Sequence, residues 1–243
     1  MTQGLYEIRS NVKIARDVYE MTLSGDTSAV TTPGQFINIK LDGFFLRRPI
    51  SVCDWDAQTL TILYKVVGEG TAKMAEMPAG TTLDILAGLG NGFDMTKSGE
   101  VPLLVGGGVG TPPMYGLCRR LIVAGRMPTV ILGFASAADV LYEEKFRALG
   151  AEVRVATADG SYGIRGFVTD AMAGIRYSYF YACGPVPMLR AVSDASLSDG
   201  QLSFEERMGC GFGACMGCSC KTKYGNKRIC RDGPVLEKGE VIW

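Results

Sequence analysis

The sequence contains no histidine at all, which removes the usual acid–base group near neutral pH and the commonest nitrogen ligand for metals. Any metal must therefore be held by thiolates or carboxylates. An excess of charge is missing too: Lys+Arg and Asp+Glu each count 25, with no long run of either sign. No nucleic-acid or membrane-surface footprint follows from such a balance. Long apolar runs are also lacking. "VPLLVGGG" and "TVILGFA" stop well short of the roughly 18 residues a spanning helix needs, and no charged, apolar, small-residue leader opens the chain. A soluble, cytoplasmic protein is expected.

What the chain does have is apolar content, 47% of 243 residues, enough for one large domain or two modest ones. It also has eight cysteines, five of them between Cys210 and Cys230. In a reducing cytosol such a cluster points to metal or redox chemistry, and a disulfide staple is the weaker alternative.

Three regions are expected. In the first, residues 1–98, "GQFINIKL" (34–41) and "TLTILYKV" (59–66) alternate with period two, placing Ile37, Ile39 and Leu41 on one face and Leu60, Ile62 and Tyr64 on another. Turn-rich pieces separate these short strands, so the region reads as a small antiparallel barrel. One short helix, 71–77, interrupts it, opened by Thr71 and closed by Pro78. In the second, 99–200, apolar strands ("VPLLV", "TVILGFA", "AEVRVAT", "SYFYACGP") alternate with helical stretches near 111–124, 137–149, 169–173 and 186–197. That rhythm predicts a parallel sheet with helices on both faces. The third, 201–243, is rich in Cys and Gly and too poor in apolar residues to bury its own core, so it needs a staple.

Each region carries a motif. "VGGGVGTPP" (105–113) follows a strand and opens a helix, with Thr111 as a candidate N-cap. Gly106, Gly107, Gly108 and Gly110 would let a diphosphate approach backbone N–H groups. A tight turn without ligand fits that stretch equally well. The second loop, Cys183-Gly184-Pro185, would lie at the same carboxyl edge of the sheet, and two such loops suit a dinucleotide. In the barrel, "RRPISV" (47–52) and "GEGT" (68–71) supply Arg48, Ser51 and another glycine-lined helix start. A guanidinium can grip phosphate with paired hydrogen bonds, although a solvated arginine pair and an ordinary turn also suit these residues. In the tail, Cys210, Cys215, Cys218 and Cys230 are spaced C-x4-C-x2-C-x11-C. The first two intervals are those of plant-type [2Fe–2S] sites, whereas structural zinc sites usually pair their ligands alike. Gly209, Gly211, Gly213 and Gly217 thread between the ligands, and a hairpin turning at Gly225-Asn226 would return Cys230. Cys220 is expected to face away, and Cys53 and Cys118 to be small buried hydrophobes.

A barrel with R-P-x-S and G-x-G-T, followed by an α/β region with G-G-G-x-G-x-x-P and C-G-P, resembles the ferredoxin–NADP reductase superfamily. That resemblance implies FAD on the barrel, touched by Arg48, Pro49, Ile50, Ser51, Leu63, Tyr64, Lys65, Gly70 and Thr71. It implies a nicotinamide dinucleotide framed by Gly106 to Thr111 and by Cys183, Gly184 and Pro185. Ile50 stands where the plant-type members have tyrosine, which suits a subgroup. With a [2Fe–2S] tail ending "CRDGPVLEKGEV", the order of motifs resembles the electron-transfer subunits of NAD-dependent, two-component dihydroorotate dehydrogenases. The likeness implies a separate FMN-bearing catalytic subunit that oxidises dihydroorotate, in a heterotetramer of two of each. Its electrons would pass through the cluster and FAD to NAD+ in pyrimidine biosynthesis. Hydride transfer between flavin and nicotinamide needs stacked rings more than an acid or base, so no catalytic side chain is assigned. Two alternatives share some features: the FAD/[2Fe–2S] subunit of a related NAD(P)H–ferredoxin oxidoreductase or sulfide dehydrogenase, and a flavin-free scaffolding module with a zinc-stapled tail. Asp139 and the Glu143-Glu144 pair follow the second strand of the sheet, with no arginine before Arg147, and they either touch a ribose or decorate a helix start.

Overall fold

The computed structural model describes residues 1–243. Six antiparallel strands close a barrel: β1 (Thr2–Ala15), β2 (Val18–Ser24), β3 (Phe36–Ile39), β4 (Arg48–Trp55), β5 (Thr59–Lys65) and β6 (Thr82–Leu89), in the order β1-β2-β5-β4-β3-β6. Period-two alternation places Tyr6, Ile8, Met21, Leu23, Ile37, Ile39, Leu60, Ile62 and Tyr64 inside, all at most 2% exposed. Each such side chain contributes about 1.5–3 kcal/mol on leaving water. On β3 the expected alternation fails, because Phe36 and Asn38 are buried as well; the outer face of that strand is covered by the cysteine-rich loop.

The helix α1 (Glu69–Ala75) starts earlier than the sequence suggests. Gly68 is its N-cap, and Thr71 sits in the first turn, its Oγ1 accepting from the N–H groups of Val67 and Gly68. The hydroxyl that looks like a cap reaches back from inside the helix. Asn11 Nδ2 then donates to the carbonyls of Met74 and Met77, tying the helix end to the barrel.

The second region is a seven-stranded sheet in the order β10-β9-β8-β7-β11-β12-β15. Its strands are β7 (Pro102–Gly107), β8 (Thr129–Phe134), β9 (Glu152–Thr157), the short β10 (Ile164–Arg165), β11 (Tyr179–Cys183), β12 (Gly200–Ser203) and β15 (Val235–Glu237), all parallel except β15. The helices α2 (Thr111–Val123), α3 (Glu143–Ala148), α4 (Val168–Ala171) and α5 (Val186–Ala195) connect them. Thr111 opens α2 as its first residue and Gly110 is the N-cap. The hairpin β13 (Ser219–Thr222) and β14 (Gly225–Arg228) turns at Lys223-Tyr224, two residues before the expected Gly225-Asn226. No helix is long and apolar enough to cross a membrane.

The tail is not an independent unit. β12 belongs to the main sheet, β15 extends the sheet's edge, and Leu202, Cys218, Ile229, Cys230, Leu236 and Val241 share one core with Leu103, Phe180 and Val192. A division at residue 200 cuts through β12. The staple the tail needs is therefore partly the α/β core itself.

Barrel and sheet are clamped side by side. Gly116 of α2 lies where a Cβ would come within 2.4 Å of the Cys53 carbonyl of β4, so the helix rides directly on the strand. Arg119 and Arg120 pair with Asp54, and Arg120 also stacks on Trp55. Glu20 of β2 accepts from Tyr142 and Lys145, both at 2.5 Å. Arg16 grips Asp139 through Nε (3.0 Å) and a terminal nitrogen (2.6 Å). That guanidinium bond holds the Asp139 carboxyl down at about 2 despite some burial. A depressed carboxyl stabilises above its ordinary value near 4, and the contribution is lost as pH falls from about 4 through about 2. Asp139→Asn is expected to lower the melting temperature by about 2 °C at neutral pH, with the difference from the parent shrinking below pH 4 in calorimetry.

Candidate functional site

Two of the clefts that open where barrel and sheet meet hold the motif residues. The first has a volume of about 340 Å³, within the roughly 300–1,000 Å³ of small-molecule sites. Arg48, Pro49, Ile50 and Ser51 of β4, Leu63, Tyr64 and Lys65 of β5, and Thr71 of α1 all line it. Gly70 does not line the cleft but stands behind it, since a Cβ there would meet Arg48 Nε at 2.2 Å. Only glycine lets the guanidinium lie on the first turn of α1, a cradle that fits the phosphate end of a flavin nucleotide. Arg48 is further held over the Phe44 ring and donates to the Leu46 carbonyl.

The second cleft, about 570 Å³, is lined by Gly107, Gly108 and Gly110 of the β7–α2 loop and by Gly184 and Pro185 of the β11–α5 loop. Gly106 and Thr111 sit just beneath it, Thr111 fully buried with its Oγ1 unpaired. Cys183 lines the first cleft rather than the second; burial, with Glu205 nearby, pushes its thiol up to about 12, so it stays neutral. The two glycine loops touch: a Cβ on Gly110 would lie 2.2 Å from the Cys183 carbonyl.

Of the side chains that join the clefts, sequence reasoning found Lys65, Val109 within its glycine stretch, and Asp139 as a candidate, and missed Glu205 and Arg16. Lys65, Val109 and Glu205 line both, and Arg16 and Asp139 line the second. Glu205 keeps an open surface, yet the walls around it desolvate its carboxyl and raise its pKa. Asp139 is committed to Arg16 and to Ser136, which makes it a clamp between the two regions. The "FEER" stretch, charged residues straight after an apolar strand, was the one local signal for Glu205.

In the tail the thiols pair two and two. The N–H of Cys210 points to Cys215 Sγ (3.4 Å), and those of Ala214 and Cys215 point to Cys210 Sγ (3.2 and 3.4 Å). The N–H of Cys230 points to Cys218 Sγ at 3.4 Å. Burial opposes ionisation of Cys210, but the N–H groups of Phe212, Cys215 and Ala214 outweigh it and bring the thiol down to about 6. Two pairs, with backbone N–H groups aimed at sulfur, fit a binuclear cluster with one pair per iron. Cys210 is half-buried and Cys215 exposed, while Cys218 and Cys230 are buried. Cys220 is half-buried and packs against the apolar core, and Cys53 and Cys118 are buried apart from the others.

Residues 205–242 match a model described as the iron–sulfur cluster binding domain of dihydroorotate dehydrogenase B, and residues 104–194 match an oxidoreductase NAD-binding domain. A solved structure of an NADH-dependent reduced ferredoxin–NADP oxidoreductase superposes with a TM-score of 0.88 at 30% identity, over 99% of this chain and 90% of that one. A cytochrome P450 reductase from Amycolatopsis, 22% identical over 79% of this chain and 65% of its own, shares the fold with a TM-score of 0.69. A flavin barrel, a parallel dinucleotide-binding sheet and a paired-thiolate tail define a ferredoxin reductase-like iron–sulfur flavoprotein. Among curated relatives, the dihydroorotate dehydrogenase B (NAD(+)) electron transfer subunit of Shouchella clausii is 44% identical over 99% of this chain and 98% of its own. That of Fusobacterium nucleatum is 43% identical over 96% of each. The chain belongs to the family of dihydroorotate dehydrogenase B electron transfer subunits.

Proposed function

We propose that this chain carries electrons from an FMN-containing dihydroorotate dehydrogenase catalytic subunit, through a [2Fe–2S] cluster and FAD, to NAD+, in the cytoplasmic synthesis of pyrimidines. The reading assigns residues 1–98 to FAD, 99–200 to NAD and 201–243 to the cluster, in a heterotetramer of two copies of each subunit. When bound, FAD exchanges a hydride with nicotinamide and single electrons with the cluster, so two one-electron transfers balance each hydride.

The observation that carries the reading is the continuity of the sites. The dinucleotide cleft meets the flavin cavity at Val109 and Glu205, and the flavin cavity's wall continues through Met208 to Cys210. In this reading Arg48 grips the FAD phosphates, and Pro49, Ile50, Ser51, Leu63, Tyr64 and Lys65 hold its ring and chain. Gly70 and Thr71 shape the turn beneath it. Gly106, Gly107, Gly108, Gly110 and Thr111 receive the dinucleotide's diphosphate against α2, and Cys183, Gly184 and Pro185 flank its nicotinamide. Cys210, Cys215, Cys218 and Cys230 would hold the cluster, the first two nearer the surface and the last two buried. Beside the outer pair, Phe212 and Met216 are 44% and 55% exposed, an apolar face for the partner subunit. Arg16, the one guanidinium lining the dinucleotide cleft, is committed to Asp139, which favours NAD over a 2′-phosphorylated cofactor.

Arg48→Ala is expected to weaken FAD binding about ten- to hundredfold, through loss of a charge-assisted hydrogen bond of about 1.5–3 kcal/mol; fluorescence titration of FAD reads this directly. The function itself is tested by purification with and without the co-expressed partner. A flavin and iron–sulfur spectrum, iron and sulfide in equal amounts, and dihydroorotate:NAD+ turnover only with the partner are expected. A colourless, zinc-loaded protein sinks the proposal. The likeness at 30% identity to the reduced ferredoxin–NADP oxidoreductase supports a second reading, which would show ferredoxin-linked activity and no dihydroorotate turnover.

A further inference from the structure

Asn38 lies at the centre of β3, opposite Pro49 of β4 and Leu86 of β6, and is only 1% exposed. Its Nδ2 donates to the Cys210 carbonyl at 3.3 Å, across 172 residues of sequence. Its Oδ1 is buried and accepts no hydrogen bond. Turning the amide over would not help, because Oδ1 would then face the Cys210 carbonyl, acceptor against acceptor. A buried amide with one end unpaired costs a barrel stability that a leucine of similar size would not. The barrel thus keeps a polar group for which its own packing has no use.

The cysteine loop is shaped around that group. Gly211 has φ +79°, and a Cβ there would come within 2.3 Å of Asn38 Nδ2. Phe36, two residues earlier on the same face of the strand, lines the flavin cavity, as do Pro49, the cross-strand neighbour, and Met208, two residues before Cys210. One side chain therefore links the wall of the flavin cavity to the backbone of a thiol that receives N–H bonds from Ala214 and Cys215.

We propose that Asn38 is a positioning residue for electron exchange between flavin and cluster. Its amide pins the Cys210 carbonyl against the barrel and so fixes both the distance to the flavin and the aim of the N–H groups at the outer thiol pair. The inference rests on the function proposed above. Groups that orient ligands without touching the metal tune its affinity and potential strongly. The reduced cluster, which carries the extra negative charge, responds most when those N–H groups drift.

The test uses the full flavoprotein with its partner subunit and two variants. Asn38→Leu removes the donor and the unpaired acceptor together; Asn38→Asp keeps the shape and replaces the donor with an acceptor. Both are expected to bind FAD, to retain iron and sulfide, and to let NADH reduce the flavin at the parent rate in stopped flow. Transfer between flavin and cluster should slow about ten- to hundredfold, and the electron paramagnetic resonance signal of the reduced cluster should change shape. An unchanged signal, an unchanged cluster potential and an unchanged transfer rate in both variants would overturn the inference. A parent protein without iron and sulfide would instead refute the function on which it rests, a distinct result.

Discussion

Replacing Cys215 with serine is expected to abolish dihydroorotate-to-NAD+ turnover, while NADH should still reduce the bound FAD at the parent rate. The variant loses one of four thiols, and nothing nearby can stand in. There is no histidine in the chain, Cys220 is half-buried with its side chain packed against the apolar core, and a serine hydroxyl does not ionise near neutral pH as a thiol aided by N–H donors does. The protein should nonetheless stay folded. Leu202, Ile229, Leu236 and Val241 anchor the tail in a core shared with the main sheet, so the cluster is not its only staple. The flavin cavity and the dinucleotide cleft meet at Lys65, Val109 and Glu205, none of which touches Cys215. Two readouts separate the possibilities: iron content with the reduced-cluster resonance signal, and stopped-flow bleaching of the flavin by NADH. Normal turnover with the partner present would mean that electrons bypass the cluster.

Which parts of this arrangement could be read from sequence follows from the range of the interactions. The barrel strands and the alternating α/β elements are visible because their periodicity is local. The motif residues in the two clefts come together because every glycine loop of a parallel sheet emerges at one edge, a topological rule. What escaped detection depends on partners far apart in the chain. Arg16 and Asp139 meet across 123 positions, and Asn38 meets Cys210 across 172; no pattern within a window reports either pair. Thr71 misled for a different reason. A hydroxyl reaching back from the first turn satisfies the same N–H groups as a cap, so composition cannot tell the two apart. The tail looked unable to bury a core because its apolar residues were counted alone, whereas β15 completes the main sheet and adds them to an existing one.

Gly110→Ala should cut electron flow at the opposite end of the path. At φ −80°, ψ −10° alanine's backbone is allowed, so the effect comes from space alone. The new Cβ would lie 2.2 Å from the Cys183 carbonyl oxygen and 2.7 Å from the Gly184 nitrogen. Both are backbone atoms of a loop held by the β7–β11 pairing of Gly106 with Cys183, and neither can swing aside as the end of a flexible side chain can. Relief requires the two glycine loops to part by about 1 Å, a displacement of the size that costs about a hundredfold when it separates reacting groups. The kcat/KM for reduction of FAD by NADH is therefore expected to fall about a hundredfold. FAD content, the cluster signal and reduction of both by dihydroorotate through the partner should stay intact, because Arg48, Ser51 and the four thiols lie outside the contact. The pattern is the mirror image of Cys215→Ser, and a kcat/KM for NADH equal to the parent's would show that the two loops do not frame the nicotinamide together.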